Sequence, residues 1–426
     1  MGTTPPPPTT SPVELSVMTE ETRRIADLIL ASAQKAQTGH LAVDSHDSDN
    51  KNKTSNPLFH NHNNKKQMYA ERQALAKAIT LLESQSPKLQ AQANALLLYL
   101  QRETAAATTT IPSIRIGLAG APGAGKSTLV EALGKYLLSL PIPSSSSNNN
   151  NNQQDHPPSS SSSTPAAFRI IPHRLGVVCV DPSSVVHGGS ILGDKTRMPT
   201  LSAAHERVYV RPAPSTAGTL GGLAGERTHD TLALLTDYAG YNVCLLETVG
   251  LGQSEVEIAQ CVDVTVLCIP PGGGDSLQGV KKGILEVADV LCVTKADGNL
   301  LAAAQSTAAD YKGALQITDM GGTLRRRVVL TSSETGQGLD QLWQAIESFV
   351  QERWESGAFD RKRTEQKDYW MWKSFNTLVQ NYVQAKFPPQ SSSSGAFAED
   401  GDTLLPPRVA AARLLKNLVD ANNGNL

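Results

Sequence analysis

Charge of one sign is what this 426-residue chain conspicuously lacks: 38 Lys and Arg stand against 40 Asp and Glu, for a formal net charge of −2. That balance removes any bulk electrostatic case for nucleic acid or an anionic membrane surface. No apolar run approaches the roughly eighteen residues of a membrane span, so no membrane partner is expected. Cysteine is scarce too, with five residues, Cys179, Cys244, Cys261, Cys268 and Cys292, and no C-x-x-C pair. Four of them lie in apolar strand-like runs, where cysteine acts as a small buried hydrophobe, so neither a zinc site nor a disulfide framework is expected. Aromatic residues make up only 5% of the chain, because several segments are polar and repetitive. The N-terminus, MGTTPPPPTTSPVELSVMTEE, has neither a signal-peptide apolar core nor an Arg-rich, acid-poor presequence, which points to the cytoplasm. Position 6 is Pro where the myristoylation pattern has Ser or Thr, and the Asn52-Lys-Thr54 sequon is discounted without other signs of secretion.

Low-complexity tracts divide what remains. Residues 1–17 are expected to be disordered. Residues 46–66 are rich in His, Asn, Asp, Ser and Lys, and read as a low-complexity insert rather than a metal site built on His46, His60 and His62. Residues 144–164, almost wholly Ser, Asn and Gln, cannot bury enough apolar surface to fold. Between and after these tracts the periodicity is clear. Helical spacing over 18–36 places Ile25, Leu28, Ile29 and Ala33 on one side. Over 71–103 two helices break at Pro87, with Leu75, Ile79 and Leu82, then Leu89, Leu96, Leu97 and Leu100, as their apolar stripes. These form an N-terminal helical region over 18–110. From 111 to 350 short apolar strands at 114–119, 175–180, 242–247, 264–269, 290–294 and 327–331 alternate with helices. That is the pattern of an α/β, doubly wound, mostly parallel sheet. Residues 351–426 turn helical and charged, and Trp370, Trp372 and Phe375 there read as core or dimer contacts rather than a base-stacking platform.

The chemistry starts at Ile114–Leu138. A strand, a glycine-rich turn and an amphipathic helix carry Gly120, Ala121, Pro122, Gly123, Ala124, Gly125, Lys126 and Ser127 in the phosphate-loop pattern G-x-x-x-x-G-K-[ST], with Thr128 next in line. Glycines let backbone N–H groups turn around phosphate oxygens, and the helix N-terminus adds partial positive charge. Lys126 can reach the β/γ-phosphates, and the Ser127 hydroxyl can ligate Mg²⁺. The chain is therefore expected to be a P-loop NTPase.

Later residues narrow the nucleotide. The strand VLCV ends in Thr294-Lys295-Ala296-Asp297, a variant of N-K-x-D with Thr in the first place. A carboxylate at Asp297 can accept from guanine N1–H and the 2-amino group, a donor pair adenine does not offer. Lys295 would lie along the base plane. Asp181 and Glu247 end two other strands, where ligands gather in open α/β sheets, and either acid can fix Mg²⁺ against the phosphates. Gly250 could meet the γ-phosphate through its N–H. The glycine-rich loop 187–198, with Asp194, Lys195, Thr196 and Arg197, reads as a nucleotide-responsive switch.

The ordered series GAPGAGKST, VDPSS, GGSILGDKTRM, VRPAPS…GTLGG, ETVGLGQSE, PPGGGDSLQGVKKGI, TKADG and WESGAF…WMW resembles the methylmalonyl-CoA mutase-associated GTPases. These are chaperones that protect and load a cobalamin-dependent mutase, also described as arginine/ornithine transport ATPases or kinases. The resemblance runs from about 69 to 388, outside the Ser/Asn tract. It implies GTP and Mg²⁺ as cofactors and a magnesium set of Ser127, Asp181, Asp194 and Glu247. Ser332, Ser333 and Glu334 become a last guanine-contact loop, and Gln278 to Lys281 a relay to the mutase. The arm around Trp354 to Phe375 becomes a homodimerisation segment, and the location becomes mitochondrial. Two other classes share parts of the pattern. A metal-inserting GTPase chaperone requires Cys or His ligands near the switches, and a kinase or ATPase requires an adenine site that Asp297 opposes.

Overall fold

The computed structural model describes residues 16–37, 57–84, 86–105, 113–141, 170, 172–181, 198–203, 206–214, 225–248, 257–272, 282–318, 326–386, 398–399, 403–404, 408–409 and 416. The tracts 1–15 and 144–164, the switch residues Asp194, Lys195, Thr196 and Arg197, Gly250, and Gln278 and Lys281 lie outside the described residues, as does the side chain of Asp181. The chain divides into two compact units between Gln366 and Lys367.

In the first unit, α1 (Glu20–Gln37), α2 (Pro57–Glu83) and α3 (Pro87–Ala105) form the expected helical layer. Ile25, Ile29, Leu75, Ile79, Leu96 and Leu100 are buried, whereas Leu89, in the first turn of α3, is exposed. The helix α2 starts inside the 46–66 tract, at Pro57, because proline fits the first helical position and no further Pro or Gly interrupts the segment before Glu83.

The sheet has seven strands, all parallel: β1 (Ile114–Ala119), β2 (Leu175–Asp181), β3 (Val208–Pro214), β4 (Val243–Glu247), β5 (Val264–Ile269), β6 (Val290–Val293) and β7 (Arg327–Leu330), in the order β3-β2-β4-β1-β5-β6-β7. Both faces are covered, which is why the strands read as unbroken apolar runs. Ile114, Ile116, Leu118, Leu175, Val177, Val243, Leu245, Val264 and Val266 join one core. That core also takes side chains of α4 (Lys126–Ser139), α5 (Pro199–Ala203) and α9 (Leu339–Glu355). The alternate residues face the other way; a Cβ at Gly117 would strike Ile258, and one at Gly176 would approach Leu235. Leu235 lies in the π-helical turn Leu234–Tyr238 that continues α6 (Gly225–Ala233). Two further helices, α7 (Lys282–Val287) and α8 (Leu301–Thr318), flank β6 in sequence.

The strand β3 is not among the sequence-derived strands, and its prolines explain why. It is an edge strand whose outer side takes a hydrogen bond from α2, Arg72 Nη1 to Val208 O at 2.8 Å. A residue's N–H and C=O point to the same side of a strand, so the parity that turns Val208 outward also turns the nitrogens of Pro212 and Pro214 away from β2. No ladder bond is lost there. Arg211 pairs with Glu83 of α2, and the buried Arg174 Nη1 donates to Ser32 Oγ of α1 at 2.8 Å. The N-terminal layer is thus tied by ions and hydrogen bonds to the β3 side of the sheet.

Helix α10 (Ala358–Lys386) starts in the first unit and continues into the second. Within the second unit Trp370 is buried, while Trp372 and Phe375 are 58% and 51% exposed and meet edge to face. The two-residue strands β8 (Ala398–Glu399) and β9 (Thr403–Leu404) pair antiparallel, so the C-terminal region is not wholly helical. No described helix is long and apolar enough to cross a membrane.

Candidate nucleotide site

The strand β1 is flanked by β4 and β5, and the chain leaves it on one side to build β2 and β3 before returning to the other with β5. The carboxyl end of β1 is therefore a topological switch point, where open parallel sheets receive ligands. The phosphate loop sits there. Gly120 has φ +143°, and a Cβ on it would lie 2.3 Å from the carbonyl oxygen of Cys268, at the end of β5. Only glycine fits that approach.

Past Gly120 the loop curls so that Lys126, the first residue of α4, folds back over it. Its Nζ donates to Gly120 O at 2.7 Å and Ala121 O at 3.0 Å, and the residue is only 7% exposed. Gly125, in the left-handed region at φ +84°, stands before α4, whose free N–H groups open toward the loop. Ala121, Pro122, Gly123 and Thr128 are exposed.

Three other strand ends join the loop. Ser127 Oγ donates to Glu247 Oε1, which places the two expected magnesium-side groups in direct contact. The register supports this, since Glu247 pairs with Leu118 of β1 and Cys179 of β2. Thr248 follows and anchors the turn, its Oγ1 donating to Leu118 O at 3.2 Å. A hydroxyl and a carboxylate are the hard oxygen donors that Mg²⁺ takes, so this pair fits the ion by its chemistry. Among the described residues no cluster of three His, Cys, Asp or Glu forms a metal site.

At the end of β6, Thr294 Oγ1 donates to Ala124 O at 2.7 Å, and Lys295 Nζ to Gly123 O at 2.9 Å. Lys295 is the one described non-glycine residue with positive φ, +54°, a strained setting of the kind that collects at functional sites. The turn it makes leads to Asp297, whose Oδ2 accepts from Ser332 Oγ. Ser332 in turn accepts the Thr335 N–H on its Oγ at 3.1 Å and the Gly336 N–H on its carbonyl at 3.0 Å. Ser333 is half-buried and Glu334 exposed on the same turn. The structure thus brings together the phosphate loop, Glu247, Lys295, Asp297 and Ser332 through hydrogen bonds. Sequence reasoning assigned no contact to Thr294 or Thr248, although both sit beside motif residues.

The cysteines take no part in this chemistry. All five are buried thiols. Burial pushes the Cys292 and Cys244 thiols up to about 12, and burial beside Cys292 also carries Cys268 well above the ordinary thiol range. These three remain protonated packing groups.

Comparison with known proteins agrees with this geometry. A family model described as "Methylmalonyl Co-A mutase-associated GTPase MeaB" matches residues 75–140 and 162–387. The chain is 39% identical over 327 residues to the mouse protein named "Methylmalonic aciduria type A homolog, mitochondrial", covering 76% of this chain and 69% of that one. It is 38% identical to "GTPase ArgK" of Escherichia coli strain K12, covering 74% and 83%. Among solved structures, "Crystal structure of LAO/AO transport system kinase" superposes with a TM-score of 0.55 at 27% identity, covering 86% of this chain and 99% of that one. With a phosphate loop, an Asp297 site and this breadth of match, the chain belongs to the methylmalonyl-CoA mutase-associated GTPase MeaB family and is a GTPase.

Proposed function

We propose that this GTPase is a magnesium-dependent switch that escorts a cobalamin-dependent methylmalonyl-CoA mutase and gates loading of its cofactor. The observation that carries the reading is the extent of the family match, which runs through the GTPase fold and on into α10. Lys126 and the loop N–H groups offset phosphate charge, and Asp297 accepts from the guanine edge. Ser127, Glu247, Asp181 and Asp194 would hold Mg²⁺, which when bound neutralises charge on the β- and γ-phosphate oxygens. Gly250 would sense the γ-phosphate, and Lys195, Gln278 and Lys281 would relay its presence to the mutase. Slow intrinsic hydrolysis hastened by a partner suits such a switch better than metabolic turnover.

A homodimer is part of the same reading. On α10, Trp372, Phe375, Leu378, Val379 and Tyr382 are all exposed, and their spacing of three and four residues gathers them along one side of the helix. An apolar stripe of this kind marks an interaction surface, and a second copy of the chain fits it by self-complementarity. A mitochondrial home, which the mouse relative's name gives for that protein, completes the proposal; a full-length fluorescent fusion that stays outside mitochondria removes it.

The partner claim is tested by capture. Immobilised protein loaded with a non-hydrolysable GTP analogue should retain purified cobalamin-dependent mutase, and added mutase should change the GTP turnover rate. If neither happens, the switch has another client and only the GTPase remains.

A further inference from the structure

We propose that Thr294 is a positioning residue for the phosphate loop, its hydroxyl setting the plane of the Ala124–Gly125 peptide so that the Gly125 N–H faces the bound phosphates. The inference deepens the GTPase reading and rests on it.

The geometry begins with a side chain that is almost wholly buried, 2% exposed, with one hydrogen to give. That hydrogen goes to Ala124 O, at 2.7 Å, in preference to Ile269 O, at 3.2 Å. The Thr294 backbone is itself fixed, its N–H donating to Ile269 O at 2.9 Å as the β6 ladder runs out against β5. Branching at Cβ restricts χ1, so the hydroxyl is delivered from a stiff support.

A trans peptide is planar, and its C=O and N–H point in opposite directions. Holding the Ala124 carbonyl toward Thr294 therefore turns the Gly125 N–H away from Thr294. Without a tether this peptide would swing easily, because its neighbours Gly123 and Gly125 are glycines at φ +79° and +84° with little steric restraint of their own. A Cβ on Gly125 would have Lys295 Cε at 3.7 Å and Thr294 Oγ1 at 3.8 Å, so residues 294 and 295 pack directly against the loop there. Lys295 adds a second tether one peptide earlier, at Gly123 O. The base-reading segment thus braces the phosphate-reading segment. The two roles are separable by residue: Asp297 selects the base, and Thr294 aims an amide.

The test compares wild type with Thr294→Val, which keeps the shape and removes the donor, and Thr294→Ser, which keeps the donor. Dissociation constants for GTP, GDP and ITP are measured alongside steady-state GTP turnover and the melting temperature of each protein. Thr294→Val should bind all three nucleotides about 10- to 100-fold more weakly, with an unchanged GTP-to-ITP ratio. KM should rise by the same factor with kcat within about threefold, as expected when a ground-state phosphate contact is lost. Thr294→Ser should stay within about threefold of wild type. The proposal is overturned if the valine variant binds like wild type, if serine and valine lose equally, or if the GTP-to-ITP ratio collapses, which would make Thr294 a base reader. Thr294→Ala removes the same donor and repeats the measurement should the valine variant melt below the assay temperature. Failure of the wild type to hydrolyse GTP would strike the GTPase reading instead, and the turnover assay on wild type distinguishes the two failures.

Discussion

Arg363 grips Asp263 across 100 positions of sequence, with Nε 2.9 Å from Oδ1 and Nη2 2.8 Å from Oδ2. Asp263 precedes β5, is 2% exposed, and also accepts the Arg115 N–H of β1 at 2.8 Å. Asp289 does the same before β6, accepting the Thr265 N–H at 2.8 Å and lying 3.8 Å from Lys362 and 3.7 Å from Arg353. Gln366 then donates to Ala259 O and Val262 O at 2.9 and 2.7 Å. The root of α10 is therefore fastened to the amino ends of the central strands, the sheet edge opposite the phosphate loop.

Breaking that grip leaves a buried carboxylate without its main partner. Arg363→Met should destabilise the protein by about 3–5 kcal/mol in denaturant melts. Burial alone would raise the Asp263 pKa, but Arg363 and Arg115 override it and hold the carboxyl below its usual value. A depressed carboxylate pKa gives stability that is present above the unfolded value, near 4, and lost as pH falls through the folded one. The gap between wild type and Arg363→Met should therefore be full at neutral pH and shrink below about pH 4. A gap independent of pH would show that the pair contributes only packing.

Glu247→Gln and Ser127→Ala address the oxygen pair at the loop. Each should raise the Mg²⁺ concentration for half-maximal GTP turnover by about 10- to 100-fold. Magnesium titration of the steady-state rate reads this directly, and unchanged half-maximal points in both variants would exclude the pair from the ion's surroundings.

Asp297→Asn replaces an acceptor with a side chain that can also donate. Xanthine carries a carbonyl where guanine has its 2-amino group, so the variant should lose GTP affinity and gain XTP affinity. Relative preference should move by roughly 1–3 kcal/mol or more per mismatched contact. Competition between the two nucleotides for one labelled probe measures the change.

The exposed stripe on α10 makes a prediction about mass. Trp372→Glu combined with Phe375→Glu places charge on side chains that the single chain leaves exposed, so each protomer should still fold and bind nucleotide. Light scattering should report a monomer where wild type is a dimer. A dimer that survives the double substitution would move the interface elsewhere.

Gly120→Ala joins a left-handed-region φ to a contact of 2.3 Å with Cys268 O. Backbone strain of order 1–3 kcal/mol is compounded by displacement of β5. The variant should melt earlier and lose GTP binding together, which calorimetry with and without nucleotide separates from a pure binding defect.

What the sequence made legible were local patterns. The phosphate loop is eight consecutive residues whose turn depends only on its own glycines, and strands buried on both faces announce themselves as apolar runs. Long-range relationships left no such trace. Arg363 and Asp263 are each an ordinary charged residue in an ordinary segment until the fold brings them together. Thr294 looked like a departure from N-K-x-D, yet it supplies a donor from the same place. The strand β3 carried two prolines that argue against a strand everywhere except on an outward-facing edge, and α2 begins at Pro57, ahead of the helical spacing legible over 71–103.

That outward-facing edge has a practical consequence. Of the two outer strands, β3 is screened by Arg72 of α2, while Arg211 pairs with Glu83 of α2 and Arg174 donates to Ser32 of α1 as well as to Ala239 O and Tyr241 Oη. A fragment trimmed to start near Ser113 would look like a tidy nucleotide-binding core, yet it would bare a strand and deprive Arg211 and Arg174 of the partners that α2 and α1 supply. An uncovered strand recruits strands from other molecules. The first hundred residues thus act as insulation that keeps the β3 edge from pairing with strands of other molecules, and any shortened version should be cut upstream of α1.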